Sequence, residues 1–111
     1  MGSPAMEEIT PKELKERLDR GDSIQIIDVR EQREYDAARI EGAKLIPLGE
    51  ITARAGELNS AQTTVVHCKS GGRSAQAIEA LRRAGYQGQL LNLKGGITAW
   101  STDVDPAVPK Y

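Results

Sequence analysis

Apolar positions follow a helical rhythm in some stretches of this chain and form short runs in others. Thr10-Pro11-Lys12-Glu13 opens a helix. Thr10 suits the N-cap, Pro11 the first helical position, and Glu13 can close a capping box. Ile9 and Leu14 are placed for a hydrophobic staple, Leu14 and Leu18 share one face, and Gly21 supplies the stop. The stretch from Ser23 to Val29 carries Ile24, Ile26 and Ile27, a run that predicts a buried strand ending at the charged Asp28 and Arg30. Glu31 to Ala38 is polar around Tyr35 and predicts a short helix. Ile40 to Ala43 reads as a loop, and Leu45 and Ile46 as a very short strand closed by Pro47.

Ile51, Ala55 and Leu58 lie at helical spacing and predict a helix over 50–58. A turn over 59–62 leads to a strand, Thr63 to Val66, which runs into Cys68. A helix is expected over 72–84, with Ala77, Ile78, Leu81 and Ala84 as its inner stripe, Arg82 and Arg83 outward, and Gly85 at its end. Leu90 to Leu93 form another apolar strand. Gly95-Gly96 makes a second glycine loop, a short helix begins at Ile97 to Trp100, and the Pro106/Pro109 tail from Asp103 to Tyr111 is expected to be extended. Strands and helices alternating over short connections predict an α/β domain, with a mainly parallel sheet, helices on both faces and right-handed crossovers. In such sheets function gathers beyond the carboxyl ends of the strands. Asp28/Arg30, Cys68 and Gly95/Gly96 each follow a predicted strand, so one end of the sheet collects all three.

Composition narrows the function classes. The 111 residues suit one domain, and with no Phe the core rests on Ile, Leu, Val and Ala. A net charge of −1 gives no basic surplus for nucleic acid or an anionic membrane, and no apolar run approaches the roughly 20 residues of a membrane span. Met1 to Ala5 reads as an expression remnant, leaving 6–111 as the single domain. One cysteine fits a reducing, cytoplasmic compartment, and it leaves no second thiol in the chain to resolve an oxidised or loaded Cys68.

That cysteine sits where a strand passes through a tight loop, Cys68-Lys69-Ser70-Gly71-Gly72-Arg73, into a helix. Unpaired N–H groups at a helix start favour negative charge and lower a thiol's pKa. Gly71 and Gly72 let successive amides converge, and Lys69 and Arg73 add positive charge. The bland alternatives are a buried inert thiol, a solvated Arg73, a Trp100 used for packing, and an Arg82-Arg83 pair that is a wet helix face or docks an acidic carrier. His67 is adjacent to Cys68 on a strand, points to the opposite face, and is read as structural rather than as its base.

Three blocks resemble the rhodanese family of sulfurtransferases: Asp28-Val29-Arg30-Glu31 with Glu34-Tyr35 and Ile40-Glu41-Gly42-Ala43, the loop Cys68 to Arg73, and Gly95-Gly96-Ile97-Thr98-Ala99-Trp100. The Cys-Lys-Ser-Gly loop and the ending Val104 to Tyr111 are similar to the C-terminal rhodanese domain of adenylyltransferase/sulfurtransferase fusion proteins, which serve ubiquitin-like sulfur carriers. The resemblance implies a rhodanese-like parallel sheet of about five strands. It implies that Cys68 takes sulfane sulfur from thiosulfate or a persulfide donor, holds it as a covalent persulfide without a metal or other cofactor, and passes it to cyanide, a thiol or a sulfur-carrier protein. Lys69, Ser70, Gly71, Gly72 and Arg73 would bind the donor and the loaded sulfur at an open mouth, with Asp28 and Arg30 buttressing the loop. The runner-up class, cysteine phosphatases and arsenate reductases, places five residues between cysteine and arginine where this chain has four, Lys69 to Gly72. A non-catalytic interaction module is the other alternative.

Overall fold

A computed structural model describes residues 6–109; Met1 to Ala5, Lys110 and Tyr111 lie outside the described residues, and with them the expected expression remnant and the end of the tail. Five parallel strands form one sheet: β1 (Glu8–Ile9), β2 (Ile24–Asp28), β3 (Ala43–Leu45), β4 (Thr63–His67) and β5 (Leu90–Leu93), in the order β1-β5-β4-β2-β3. The helices are α1 (Pro11–Asp19), α2 (Gln32–Ala37), α3 (Gly72–Arg83) and α4 (Gly96–Asp103). The sheet is thus the expected parallel one, with β4 at its centre, flanked by β2 and β5.

Two apolar layers cover the sheet. On one face Ala77, Ile78 and Leu81 of α3 pack with Ile27, Val66, Leu90, Ile51, Leu58 and Cys68 itself. On the other, Leu14 of α1 and Ile97 and Trp100 of α4 pack with Ile26, Val65, Leu91 and Leu93. Successive strand residues therefore feed opposite layers, which is why β2, β4 and β5 read as continuous apolar runs. Trp100 is a packing residue, 6% exposed.

Local chemistry sets the element ends. The Thr10 hydroxyl accepts from the Glu13 N–H at 3.1 Å, and the Glu13 carboxylate accepts from the Thr10 N–H at 3.0 Å, closing the capping box that the sequence announced. Three expectations are corrected. The helix over 50–58 is instead two short 3₁₀ turns, Leu48–Glu50 and Ala55–Glu57. No side chain caps either turn and Gly49 and Gly56 lie within them, so the buried Ile51 and Leu58 are held by packing rather than by a helical ladder. The pair Glu8–Ile9 is a strand, parallel to β5, where Ile9 was expected only as a staple. Finally, the tail is not extended over its described part: α4 continues to Asp103, and the Val108 N–H bonds back to the Asp105 carbonyl.

Candidate active site

β4 delivers Cys68 to the carboxyl end of the sheet, beside β2 and β5. The loop after it is held from below. The N–H groups of Ile97 and Thr98, at the start of α4, donate to the carbonyls of Cys68 (2.9 Å) and Lys69 (3.2 Å). Gly96 makes this approach possible. A Cβ there would lie 2.5 Å from both carbonyl oxygens, and its φ of +60° is costly for any other residue. The second glycine loop is thus the floor of the first.

The sulfur faces polar groups. The Gly71 N–H donates to Cys68 Sγ at 3.1 Å, and Ser74 Oγ lies 3.4 Å from it. Burial pushes the Cys68 thiol up, but the Ser74 hydroxyl and the amides of Ser74, Gly71 and Ser70 outweigh it, leaving the thiol more acidic than usual. The amides of Ser70 and Gly71 belong to the expected cradle, and that of Ser74 extends it. The expected open mouth is corrected: Cys68 is only 1% exposed, beneath the rim of its loop. Gly71 has φ +115°, a left-handed backbone angle that other residues adopt only at a cost.

The charged residues divide into separate tasks. Lys69 is exposed at the rim. Arg73, expected as a free charge at the mouth, makes a bidentate ion pair with Glu34 of α2, at 2.7 and 2.9 Å. That pairing holds the Glu34 carboxyl down at about 2, a shift opposed by its burial and helped by the Glu31 N–H. Asp28 and Arg30 are fully buried and bonded to each other, with Arg30 Nη2 2.7 Å from Asp28 Oδ2 and 2.6 Å from the Ala38 carbonyl. His67 links Asp28 to the loop: its Nε2 lies 3.7 Å from Asp28 Oδ2 and its Nδ1 is 3.2 Å from the Cys68 carbonyl. A carbonyl only accepts, so Nδ1 carries the hydrogen. Burial pushes His67 below its usual value, against the pull of Asp28, and the ring is neutral at pH 7. Arg82 is exposed, and its Nη1 donates to the carbonyls of Tyr86 (2.9 Å) and Gly88 (2.7 Å).

Sequence reasoning missed Ser74 and Asn92. Ser74 Oγ is 2.6 Å from Asn92 Oδ1, and Asn92 Nδ2 donates to the Gly71 carbonyl at 3.2 Å. The available signal was a polar residue in the middle of the apolar run Leu90-Leu91-Asn92-Leu93.

The family pattern described as "Rhodanese-like domain" matches residues 10–103. The chain belongs to the rhodanese-like family. This rhodanese-like domain is 41% identical over 105 residues to the "Probable adenylyltransferase/sulfurtransferase MoeZ" of Mycobacterium tuberculosis, covering 93% of this chain but 26% of that protein. It is 36% identical over 101 residues to the "Sulfurtransferase" of Allochromatium vinosum, covering 91% of this chain and 94% of that one. Among solved structures, a "Rhodanese-like Domain Protein" from Staphylococcus aureus superposes with a TM-score of 0.80 at 34% identity, over 94% of this chain and 97% of the other. The chain thus spans about a quarter of the mycobacterial relative and nearly all of the Allochromatium one.

Proposed function

We propose that this rhodanese-like domain transfers sulfane sulfur through a persulfide on Cys68. The observation that carries the reading is the Gly71 N–H aimed at Cys68 Sγ at 3.1 Å, in a loop whose neighbouring amides and hydroxyl also favour the anion. The Cys68 thiolate attacks the outer sulfur of thiosulfate or of a persulfide donor. A new S–S bond forms, the donor's own S–S bond breaks, and sulfite or a thiolate leaves with the electron pair. The terminal persulfide sulfur, now the anionic atom, sits where loop amides can reach it, as in an oxyanion hole. An acceptor nucleophile (cyanide, a thiol or a sulfur-carrier protein) then takes that sulfur and returns Cys68 as thiolate. The cycle uses one thiol, which is all that this chain has.

Lys69, exposed at the rim, is the loop cation that meets an anionic donor, while Arg73 is engaged by Glu34. The same pairing weighs against phosphatase chemistry, because a phosphate needs an arginine turned into the loop and this one is bonded outside it. Asp28 and Arg30 support the end of β4 through His67. The sequence likeness to the mycobacterial adenylyltransferase/sulfurtransferase favours a sulfur-carrier protein or an adenylyltransferase domain as the working partner. A single free thiol suits the cytoplasm, and no helix among the described residues is long and apolar enough to cross a membrane. The test is thiosulfate:cyanide sulfurtransfer in Cys68→Ala and Cys68→Ser: both are expected to lose activity while keeping the wild-type circular dichroism spectrum. Wild-type turnover by a folded Cys68→Ala protein would refute the persulfide route.

A further inference from the structure

Asn92 is a polar residue, 5% exposed, in the middle of strand β5. Its amide meets two atoms of the active loop region, and hydrogen-bond accounting fixes how. Its Nδ2 faces the Gly71 carbonyl at 3.2 Å, and turning the amide over would set two acceptor oxygens against each other. Oδ1 therefore faces Ser74 Oγ, at 2.6 Å. Two oxygens this close need a hydrogen between them, and only Ser74 has one. With that hydrogen given to Asn92, Ser74 presents lone pairs to Cys68 Sγ, 3.4 Å away. In the thiol state the groups close a ring: Gly71 N–H to Sγ, S–H to Ser74 Oγ, Ser74 O–H to Asn92 Oδ1, and Asn92 N–H to the Gly71 carbonyl.

Ionisation breaks this ring at one place. Once the thiol proton has passed to solvent, the Ser74 lone pairs face an anion. The single hydroxyl hydrogen has three acceptors within reach, Asn92 Oδ1 (2.6 Å), the Gly71 carbonyl (3.1 Å) and the sulfur (3.4 Å), and turning it to the sulfur stabilises the anion. No bond other than S–H is broken in the step.

We propose that Asn92 is a positioning residue that competes with the Cys68 thiolate for the Ser74 hydroxyl, and so sets how readily the nucleophile ionises. The inference deepens the reading in which Cys68 attacks as a thiolate. It assigns a thiol state in which S–H donates to Ser74 Oγ, and a loaded state in which Sγ is neutral and the hydroxyl returns to Asn92. Loss of the Asn92 amide does not free the Gly71 carbonyl, which also accepts from the Ala75 N–H at 3.1 Å. The charges near the sulfur are Arg73 on α3, paired to Glu34 of α2, and Lys69 in the loop. His67 on β4 contacts Cys68 through its backbone carbonyl alone. None of these is altered by changing Asn92.

The test is the pH profile of Cys68 alkylation by iodoacetamide, which needs no sulfur donor and so can fail independently of the sulfurtransfer reading. Four proteins are compared: wild type, Asn92→Leu, Ser74→Ala and the double variant, with Asn92→Ala as a second probe should the leucine unfold the strand. One hydrogen bond to an anion corresponds to a shift of about tenfold in thiolate fraction. Below the midpoint of the profile, Asn92→Leu is expected to react about tenfold faster than wild type, and Ser74→Ala more slowly. In the Ser74→Ala background the Asn92 change is expected to have no accelerating effect. A folded Asn92 variant with the wild-type profile, or one that speeds alkylation equally with and without the Ser74 hydroxyl, would overturn the proposal.

Discussion

An arginine closing a cysteine loop invites the reading that its charge grips an anion, yet both terminal nitrogens of Arg73 are bonded to Glu34. The side chains are 35% and 12% exposed, so the pair is partly shielded from water and better placed than an ordinary surface bridge. Its loss removes this link between α2 and the helix that follows the loop. Arg73→Ala is expected to cost about 1–3 kcal/mol, lowering the melting temperature by on the order of 5 °C or more. Its KM for thiosulfate should change less than that of Lys69→Ala. A large rise in KM at unchanged melting temperature would return Arg73 to the role of donor ligand. At this scale the sequence was legible where chemistry is carried by one residue type. The lone thiol, its glycines and the Asp28/Arg30 pair could all be named. Ser74, Asn92 and the Glu34 partnership could not, because each depends on which elements the fold sets side by side.

At the scale of elements, the site is an agreement between two loops. Cys68 and Lys69 turn their carbonyls onto the first N–H groups of α4, and Gly96 leaves room for them. Gly96→Ala adds a Cβ 2.5 Å from those oxygens at a backbone angle that disfavours it, so the Cys68 loop must move. The variant is expected to lose at least 1–3 kcal/mol of stability, on the scale of one strained backbone position, and most of its sulfurtransfer activity. Denaturant midpoint and turnover measured together check this; a variant as stable and active as wild type would show that the loops are not coupled. The end signals of α1 and the apolar runs of β2, β4 and β5 were readable because local chemistry and packing agree there. The 50–58 stretch was not, since helical spacing of Ile51, Ala55 and Leu58 is matched equally by two 3₁₀ turns around glycines. A two-residue strand such as β1 is too short to show any period.

For the whole molecule, buried titratable groups set the response to acid. Burial keeps His67 below its ordinary 6.5, so the unfolded chain takes up a proton there before the folded one does. Stability is therefore lost as pH falls from about 6.5 downward. Glu34, held at about 2 by Arg73 against an ordinary 4.5, acts in the next window: its contribution is present above 4.5 and lost as pH falls toward 2. Urea midpoints are expected to decline already between pH 6.5 and 5 and to continue falling below 4.5. A midpoint flat down to pH 4.5 would show that His67 is not buried in its neutral form. The parallel sheet makes this matter for function, because Asp28, His67 and Cys68 all lie at its one carboxyl end.

The persulfide itself is open to direct weighing. Intact protein mass is measured after incubation with thiosulfate and removal of small molecules, beside a Cys68→Ser control. A gain of one sulfur atom is expected on the wild-type chain, reversed by cyanide and absent from the control. No gain on the wild type, or the same gain on Cys68→Ser, would contradict a persulfide on Cys68.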